Sequence, residues 1–557
     1  MILFECVIQN YLHLTVTNRS EKGMSTTSFP LAICLFHERA GQILSVKLLN
    51  LLYTLFMAKS KMTQFKQRGS GVLMHISSLP GPFGIGTLGK NAYKFIDFLA
   101  KAGQSYWQIL PVCPTGYGNS PYQSFSTFAG NPYFIDFDLL KKDGLLAKKD
   151  YEGIDWGSDP TSADFGLLYV RRNELFEKLQ NNFEKKIPAD YKAFCRKNKF
   201  WLEDFALFMA VKDAHNGASF MDWEKDIRLR EEEAVKAWSK KCQRRIEYYK
   251  MLQYLFFKQW KDLRAYAASK DIKIIGDIPI YVSADSADVW THPENFLLSK
   301  KGVPLEVAGC PPDAFTDKGQ LWGNPVYNWK ALKEDGYGWW KQRIKSSLEI
   351  YDILRIDHFR GFESFYCIKY GAEDAKNGKW RKGPGVDLFR EVEKALGKVP
   401  IIAEDLGYLT PKVHKMLRDC GFPGMKVIQF AFGGDDTNTY LPHNIPENSI
   451  VYTGSHDNDP INGWVASCSP AELDHAMKYF KLTDKTQMRE TMMKAALESK
   501  AFVCILTMQD LIGLGHEARM NFPSSVGENW KWRATEEQIT AEQAAWLKKA
   551  SKAAGRN

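Results

Sequence analysis

Three acids occupy places where a chain could do chemistry. In ILRIDHFRG (353–361), IIAEDLG (401–407) and IVYTGSHDND (450–459), short apolar runs end in Asp357, Glu404 and Asp457. Arg355 and Asp357 are two residues apart, so a strand presents both on one side and Leu354 and Ile356 on the other. A guanidinium beside a carboxylate lowers its pKa and keeps it ionised. Glu404 follows Ile401, Ile402 and Ala403, at a depth where a partly buried carboxyl holds its proton. An ionised carboxylate next to a protonated one is the equipment of a retaining glycosidase: one attacks the anomeric carbon while the other protonates the departing oxygen. A third acid can stabilise the oxocarbenium-like transition state.

Rival uses of these residues are poorly supported. His75, His292, His358 and His456 lie on different segments without HxxxH or facial-triad spacing, so hydrogen bonds to sugar hydroxyls or carboxylates suit them better than a metal. There is no GxxxxGK[ST] loop for phosphates. Gly84, Gly86 and Gly89 do spell GxGxxG, but the strand that should supply the ribose-binding acid, YWQILPVCP, has none. We therefore read GIGTLG as a loop shaped for close backbone packing. Aromatic rings stack on the C–H faces of sugars, and Tyr122, Phe128, Trp322, Tyr327 and Phe359 are candidates at loops or strand ends.

The elements that must position these groups are legible from Arg68 onward. Eight apolar runs punctuated by polar residues, Gly or Pro read as strands: 71–80, 106–112, 272–282, 353–361, 401–407, 424–432, 450–457 and 501–511. Most are continuous rather than alternating, as parallel strands covered on both faces require, and helix-like segments separate them. The pattern predicts an α/β protein, a (β/α)8 TIM barrel with its site at the C-terminal ends of the strands. Large insertion subdomains are expected after strands 2 and 3, at about 113–270 and 283–350. The catalytic barrel should span 63–540, with a helical tail over 541–557. Residues 1–62 fit none of this, and Met57 and Met62 stand just before the organised region, so we expect that stretch to be a non-native or disordered leader.

Composition narrows the class. With 45% hydrophobic and 13% aromatic residues, 557 residues can fill a large core. Seven basic and three acidic residues precede Arg68, so only +5 of the net +9 belongs to the remaining 490 residues, too dilute for a nucleic-acid stripe. Ile43–Met57 is too short and too interrupted to span a bilayer, and MILFECVIQN lacks a basic n-region. Ten dispersed cysteines, with no CxxC pair, fit a reducing compartment. We expect a cytoplasmic protein with no nucleic-acid or membrane partner; oligomeric state is not readable here.

These residues also carry a resemblance. From about Arg68 to Arg533 the chain resembles the amylomaltase or disproportionating-enzyme family, the 4-α-glucanotransferases of glycoside hydrolase family 77 in the α-amylase clan. The match runs through SSLPGPFGIGTLG, SPYQS, GDIPIYV, GQLWGNPVY, RIDHFRGF, AEDLG, HDND, QDLIGLGHEARMN and ENWKWR, in that order. The resemblance implies Asp357 as nucleophile, Glu404 as general acid/base and Asp457 as transition-state stabiliser. It implies a subsite lined by Asp277, Arg355, His358 and His456, with Tyr122 beneath the sugar. Trp322, Phe315 and Asn324 are further implied substrate contacts, Trp322 on the acceptor side. It also implies α-1,4-glucans and maltooligosaccharides as substrates and no metal or organic cofactor, with an α-glucan hydrolase of the same clan as the alternative. Two departures stand out: Ala314 precedes Phe315 where the family often has two adjacent aromatics, and Pro460 follows HDND where the family has Thr. Both touch the acceptor side rather than the catalytic acids.

Overall fold

Eight short runs of Val, Ile, Leu and Tyr form the inner ring of the protein. In chain order they are β1 (Gly69–Leu73), β2 (Tyr106–Gln108), β3 (Lys273–Pro279), β4 (Ile353–Asp357), β5 (Ile401–Ala403), β6 (Gly424–Val427), β7 (Ser449–Tyr452) and β8 (Val503–Thr507). All neighbours pair in parallel, in the order β6-β7-β8-β1-β2-β3-β4-β5. At the remaining seam the Ala403 amide donates to the Pro423 carbonyl at 3.0 Å, bringing β5 against β6. This is the expected (β/α)8 barrel. The computed structural model describes residues 67–312, 316–407, 409–523 and 525–556. The leader expected over 1–62 and the contact expected from Phe315 lie outside them.

The strands are shorter than the apolar runs that announced them. Each run continues past its last ladder bond into a loop or a tight turn at the C-terminal rim: Ile76–Ser78 after β1, Phe359–Phe362 after β4, Ile428–Ala431 after β6 and Met508–Ile512 after β8. The rim is thus built from chain that has left the sheet but is still held by it. Glycine matters in one strand: a Cβ at Gly276 in β3 would overlap the ring of Tyr351, whose hydroxyl accepts the Val112 amide at 3.3 Å.

Between β2 and β3 the chain makes a loop and then a helical layer, including Phe165–Lys185, Lys199–Ala214 and the 27-residue helix Gln243–Ser269. Two buried glutamines of that long helix clamp the loop through paired amide bonds. Gln253 accepts the Gly130 amide at 2.7 Å and donates to its carbonyl at 2.9 Å, and Gln259 does the same with Asp136. A buried amide satisfied in both directions fixes a loop more firmly than apolar contact, because breaking it strands two polar groups.

A second, four-stranded sheet lies outside the ring. It orders Gln320–Pro325, Glu306–Cys310, Ser364–Lys369 and Lys379–Lys382, all antiparallel. Its first two strands come from the segment after β3; the other two come from the segment after β4, which the sequence did not single out as an insertion. At the other end of the chain, helix Ala541–Ala553 returns to the barrel, where Ser551 bonds Ser70 and Gln104, and Arg556 bonds the carbonyls of Gly69, Leu497 and Ser499.

The GxGxxG loop is a packing device. A Cβ at Gly86 would overlap the Ile76 carbonyl, and one at Gly89 would collide with the Asp136 carboxylate, which caps helix Phe137–Lys142.

Candidate active site

At the ends of β3 and β4 three charged groups form a line. Asp277 and Arg355 are paired residues on neighbouring strands. The Arg355 guanidinium donates from Nη1 to Asp277 Oδ2 at 2.5 Å and from Nη2 to Asp357 Oδ1 at 3.0 Å, while its Nε reaches Met425 Sδ at 3.3 Å. Two carboxylates thus share one cation. Asp277 and Arg355 are buried; Asp357 keeps 29% of its side chain open to the cleft. Asp357 is therefore the outermost of the three.

Glu404 begins the loop after β5. His358, at φ 51°, turns left-handed directly after Asp357, and that turn aims its amide at Glu404 Oε2, 2.7 Å away. Glu404 Oε1 accepts the Leu406 amide at 2.7 Å. The Glu404 main chain is sewn to β4 as well: its amide donates to Ile356 and its carbonyl accepts from Phe359, both at 3.0 Å. A non-glycine residue held at positive φ stores strain, and here the strained residue is the hinge between the two acids.

The two carboxyls differ in what opposes burial. Burial pushes Asp357 up to about 6, with Arg355 pulling it back down. The net shift is upward, a correction to the expectation that Arg355 would set it low: Asp277 already draws on the same guanidinium. For Glu404, burial and then the adjacent Asp357 charge push the carboxyl up to about 8, with Arg355 and the two amides pulling against them. Near neutral pH this order leaves Asp357 ionised and Glu404 protonated. The two carboxyls are told apart by which of them touches the cation.

Asp457 lies in the turn after β7. Asn521 donates from Nδ2 to its Oδ1 at 2.6 Å, Arg519 holds its main-chain carbonyl at 2.6 Å, and His456 Nε2 lies 3.3 Å from Oδ2. Tyr122 joins this group to the β3 end. Its hydroxyl donates to Asp277 Oδ2 at 2.8 Å, and its ring stacks on His456 at 5.0 Å between centroids, with Trp530 closing a three-ring cluster at 5.8 Å from each. Burial and the Asp277 charge hold the Tyr122 hydroxyl well above its ordinary pKa, so it stays a donor. The loop carrying Tyr122 is tied down by the buried Arg343, which donates to the Pro279 and Ile280 carbonyls and to Thr127.

The structure brings together Tyr122, Asp277, Arg355, Asp357, His358, Glu404, His456 and Asp457 through this chain of contacts, and Trp322 joins edge-on to His358 at 4.8 Å. Burial lowers His358 to about 3, so its imidazole is neutral. Asn324 stands one step behind: it bonds Gln123 and the Val282 carbonyl, bracing the Tyr122 loop against the strand that carries Trp322. Phe128, Tyr327 and Phe359 are core rings, all buried, and His292 pairs with Glu294 away from the others. Asn521, Arg519 and Trp530 were not singled out from the sequence as individual residues. Their signal was present as the ARMN and ENWKWR segments, but only the fold shows that these close on Asp457 and Tyr122.

Known proteins resemble this chain over most of its length. The family model of glycoside hydrolase family 77, described as 4-alpha-glucanotransferase, matches residues 74–539. A 4-alpha-glucanotransferase from Clostridium butyricum is 50% identical over 485 residues, covering 87% of this chain and all of that one. One from Thermus thermophilus is 41% identical, covering 88% and 99%. Among solved structures, amylomaltase from Streptococcus agalactiae in complex with acarbose superposes with a TM-score of 0.86 at 44% identity, covering 88% of this chain and 100% of that one.

Proposed function

Because the chain belongs to glycoside hydrolase family 77, the 4-α-glucanotransferases, we propose that it moves α-1,4-glucan segments between chains by double displacement at Asp357, Glu404 and Asp457. Asp357 attacks the anomeric carbon to give a β-linked glucosyl enzyme while Glu404 gives its proton to the departing glycosidic oxygen. Glu404, now a carboxylate, takes the proton of an incoming 4-hydroxyl, whose oxygen displaces Asp357 and restores the α configuration. Arg355 supports this cycle by stabilising the Asp357 carboxylate as it leaves, and Asp457 faces the positive charge that builds on the sugar ring. The observation that carries the reading is the ordering of the two acids. The one on the guanidinium is ionised and the one beside it, held by backbone amides, keeps its proton.

Transfer rather than hydrolysis requires that an acceptor sugar be held in a near-attack position, an arrangement worth an effective molarity of about 10⁵ M or more. We assign that grip to the segments after β3 and β4, where Trp322 meets His358. Two further observations support placing the enzyme in the cytoplasm. Eight cysteines among the described residues are all free, and no helix among those residues is long and apolar enough to cross a membrane.

Incubation of the purified protein with maltotriose, followed by chromatography and a reducing-end assay, tests the assignment. A ladder of longer maltooligosaccharides with glucose appearing and constant reducing ends is expected. Rising reducing ends without longer chains would make the protein a hydrolase instead.

A further inference from the structure

A buried arginine needs acceptors on every edge of its guanidinium, and one edge of Arg355 ends on sulfur. Nη1 and Nη2 donate to Asp277 and Asp357, while Nε donates to the thioether of Met425 at 3.3 Å. The three nitrogens lie in one plane, so an acceptor on Nε settles where the other two edges point. Arg355 is 3% exposed and Met425 is fully buried, which keeps bulk water from taking the place of the sulfur.

A thioether accepts weakly and carries no charge. Both properties suit this position. Asp277 and Asp357 already divide the one cation, and Glu404 and the Tyr122 hydroxyl also act on it. A third carboxylate at Nε would draw the guanidinium away from Asp357, and an aliphatic side chain would leave a buried N–H without a partner. A methionine side chain is flexible, so its own backbone has to be fixed. Met425 lies in β6, paired with Ile450 of β7, and its amide donates to Asp405 Oδ1 at 2.6 Å. Asp405 directly follows Glu404, is itself buried, and occupies the space that a Cβ on Gly424 would need. Met425 therefore stands where β5 closes on β6, tied through its amide to the residue beside one acid and through its sulfur to the cation that holds the other.

We propose that Met425 is a positioning residue: its sulfur holds the Arg355 guanidinium at the angle that lets one cation serve Asp277 and Asp357 together. Without that acceptor the guanidinium is free to turn towards Asp277, the shorter and more deeply buried of its two ion pairs, and Asp357 loses its share. The proposal rests on the reading of Asp357 as nucleophile, and the test separates the two. Met425→Leu conserves volume and removes the acceptor, whereas Met425→Gln has the same length and supplies one. The Arg355 Nε–H resonance of isotope-labelled protein, assigned by its loss in Arg355→Lys, reads the bond without reference to activity. The pH profiles of kcat and kcat/KM on maltotriose, with Tm measured alongside, read its consequence.

In Met425→Leu the resonance should move upfield and kcat should fall about tenfold with KM little changed. The acid limb should move to higher pH, because a carboxylate with less of the cation takes up its proton more readily. Met425→Gln should restore the limb and most of kcat even at a lower Tm. A resonance that Met425→Leu leaves unmoved would overturn the proposal, as would a wild-type resonance at the position of a free arginine, which needs no variant to fold. So would a moved resonance with an unmoved acid limb, or activity that simply follows Tm through both variants; either would make Met425 packing alone. A wild type that releases glucose without lengthening chains would overturn the transfer reaction, and the limb would then be read on hydrolysis. Full activity in Asp357→Asn would overturn the nucleophile and leave the resonance to decide the hold on Arg355.

Discussion

Asp357 and Glu404 leave neighbouring strands of one barrel, yet their surroundings are opposite. Asp357 touches a guanidinium and keeps part of its surface in the cleft; Glu404 has only backbone amides for partners. Burial raises both, and the cation decides which is raised less. A fold can thus hold two like side chains in different protonation states by placing one arginine asymmetrically.

Removing either acid breaks that comparison most directly. Asp357→Asn should reduce transfer by on the order of 10³-fold or more while glucan binding, read by affinity electrophoresis, persists. Glu404→Gln should cost a similar factor with maltotriose, but its first step should recover with α-glucosyl fluoride, whose leaving group needs no proton; Asp357→Asn should not recover with it. Equal rescue of both variants would show that the roles are misassigned. Arg355→Lys comes next, with a loss on the order of 10²-fold, because a point charge cannot bond both Asp277 and Asp357. The acid limb of its pH profile should move upward, since Asp357 loses its main source of stabilisation as a carboxylate.

For the wild type, kcat/KM should fall below pH about 6 as Asp357 takes up a proton and above pH about 8 as Glu404 loses one. Replacement of Glu404 by Gln should remove the alkaline limb from whatever activity toward the fluoride remains. The same shift has a sign for stability. Glu404 is raised above its unfolded value, so the folded state binds the proton more tightly and is destabilised as pH rises from about 4.5 towards 8. Glu404→Gln should therefore have a higher Tm than wild type at pH 8 and nearly the same Tm at pH 4, by calorimetry. The smallest effect is expected for Tyr122→Phe, which deletes one hydrogen bond to Asp277 and keeps the stack on His456: roughly five- to tenfold in kcat/KM, with the pH limbs unmoved.

The order of acids and the eight strands could be read directly from the chain. Apolar runs ending in RID, AE and SHD place a titratable group at the depth where a parallel strand leaves the core, a one-dimensional property of pattern and spacing. Asn521 and Trp530 could not be read this way. They lie more than sixty residues from the groups they support, and no local periodicity links them. Phe128, Tyr327 and Phe359 illustrate the same limit from the other side. An aromatic at a strand end is equally suited to stack on a sugar or on other rings, and only the packing around it decides.

What the amino-acid sequence determined by itself was the class of fold and the family, and it singled out the three acids proposed as catalytic. Those depend on residue types and on distances of a few positions, which the covalent chain sets. The tertiary structure decided how the charges are shared. Arg355 serves Asp277 as well as Asp357 because β3 pairs with β4, His358 meets Glu404 because β4 pairs with β5, and Trp322 shares a sheet with Tyr366 because segments from two different loops pair edge to edge. Coulomb energy and hydrogen bonding depend on separation in space and on exclusion of water, and neither exists until the strands have closed.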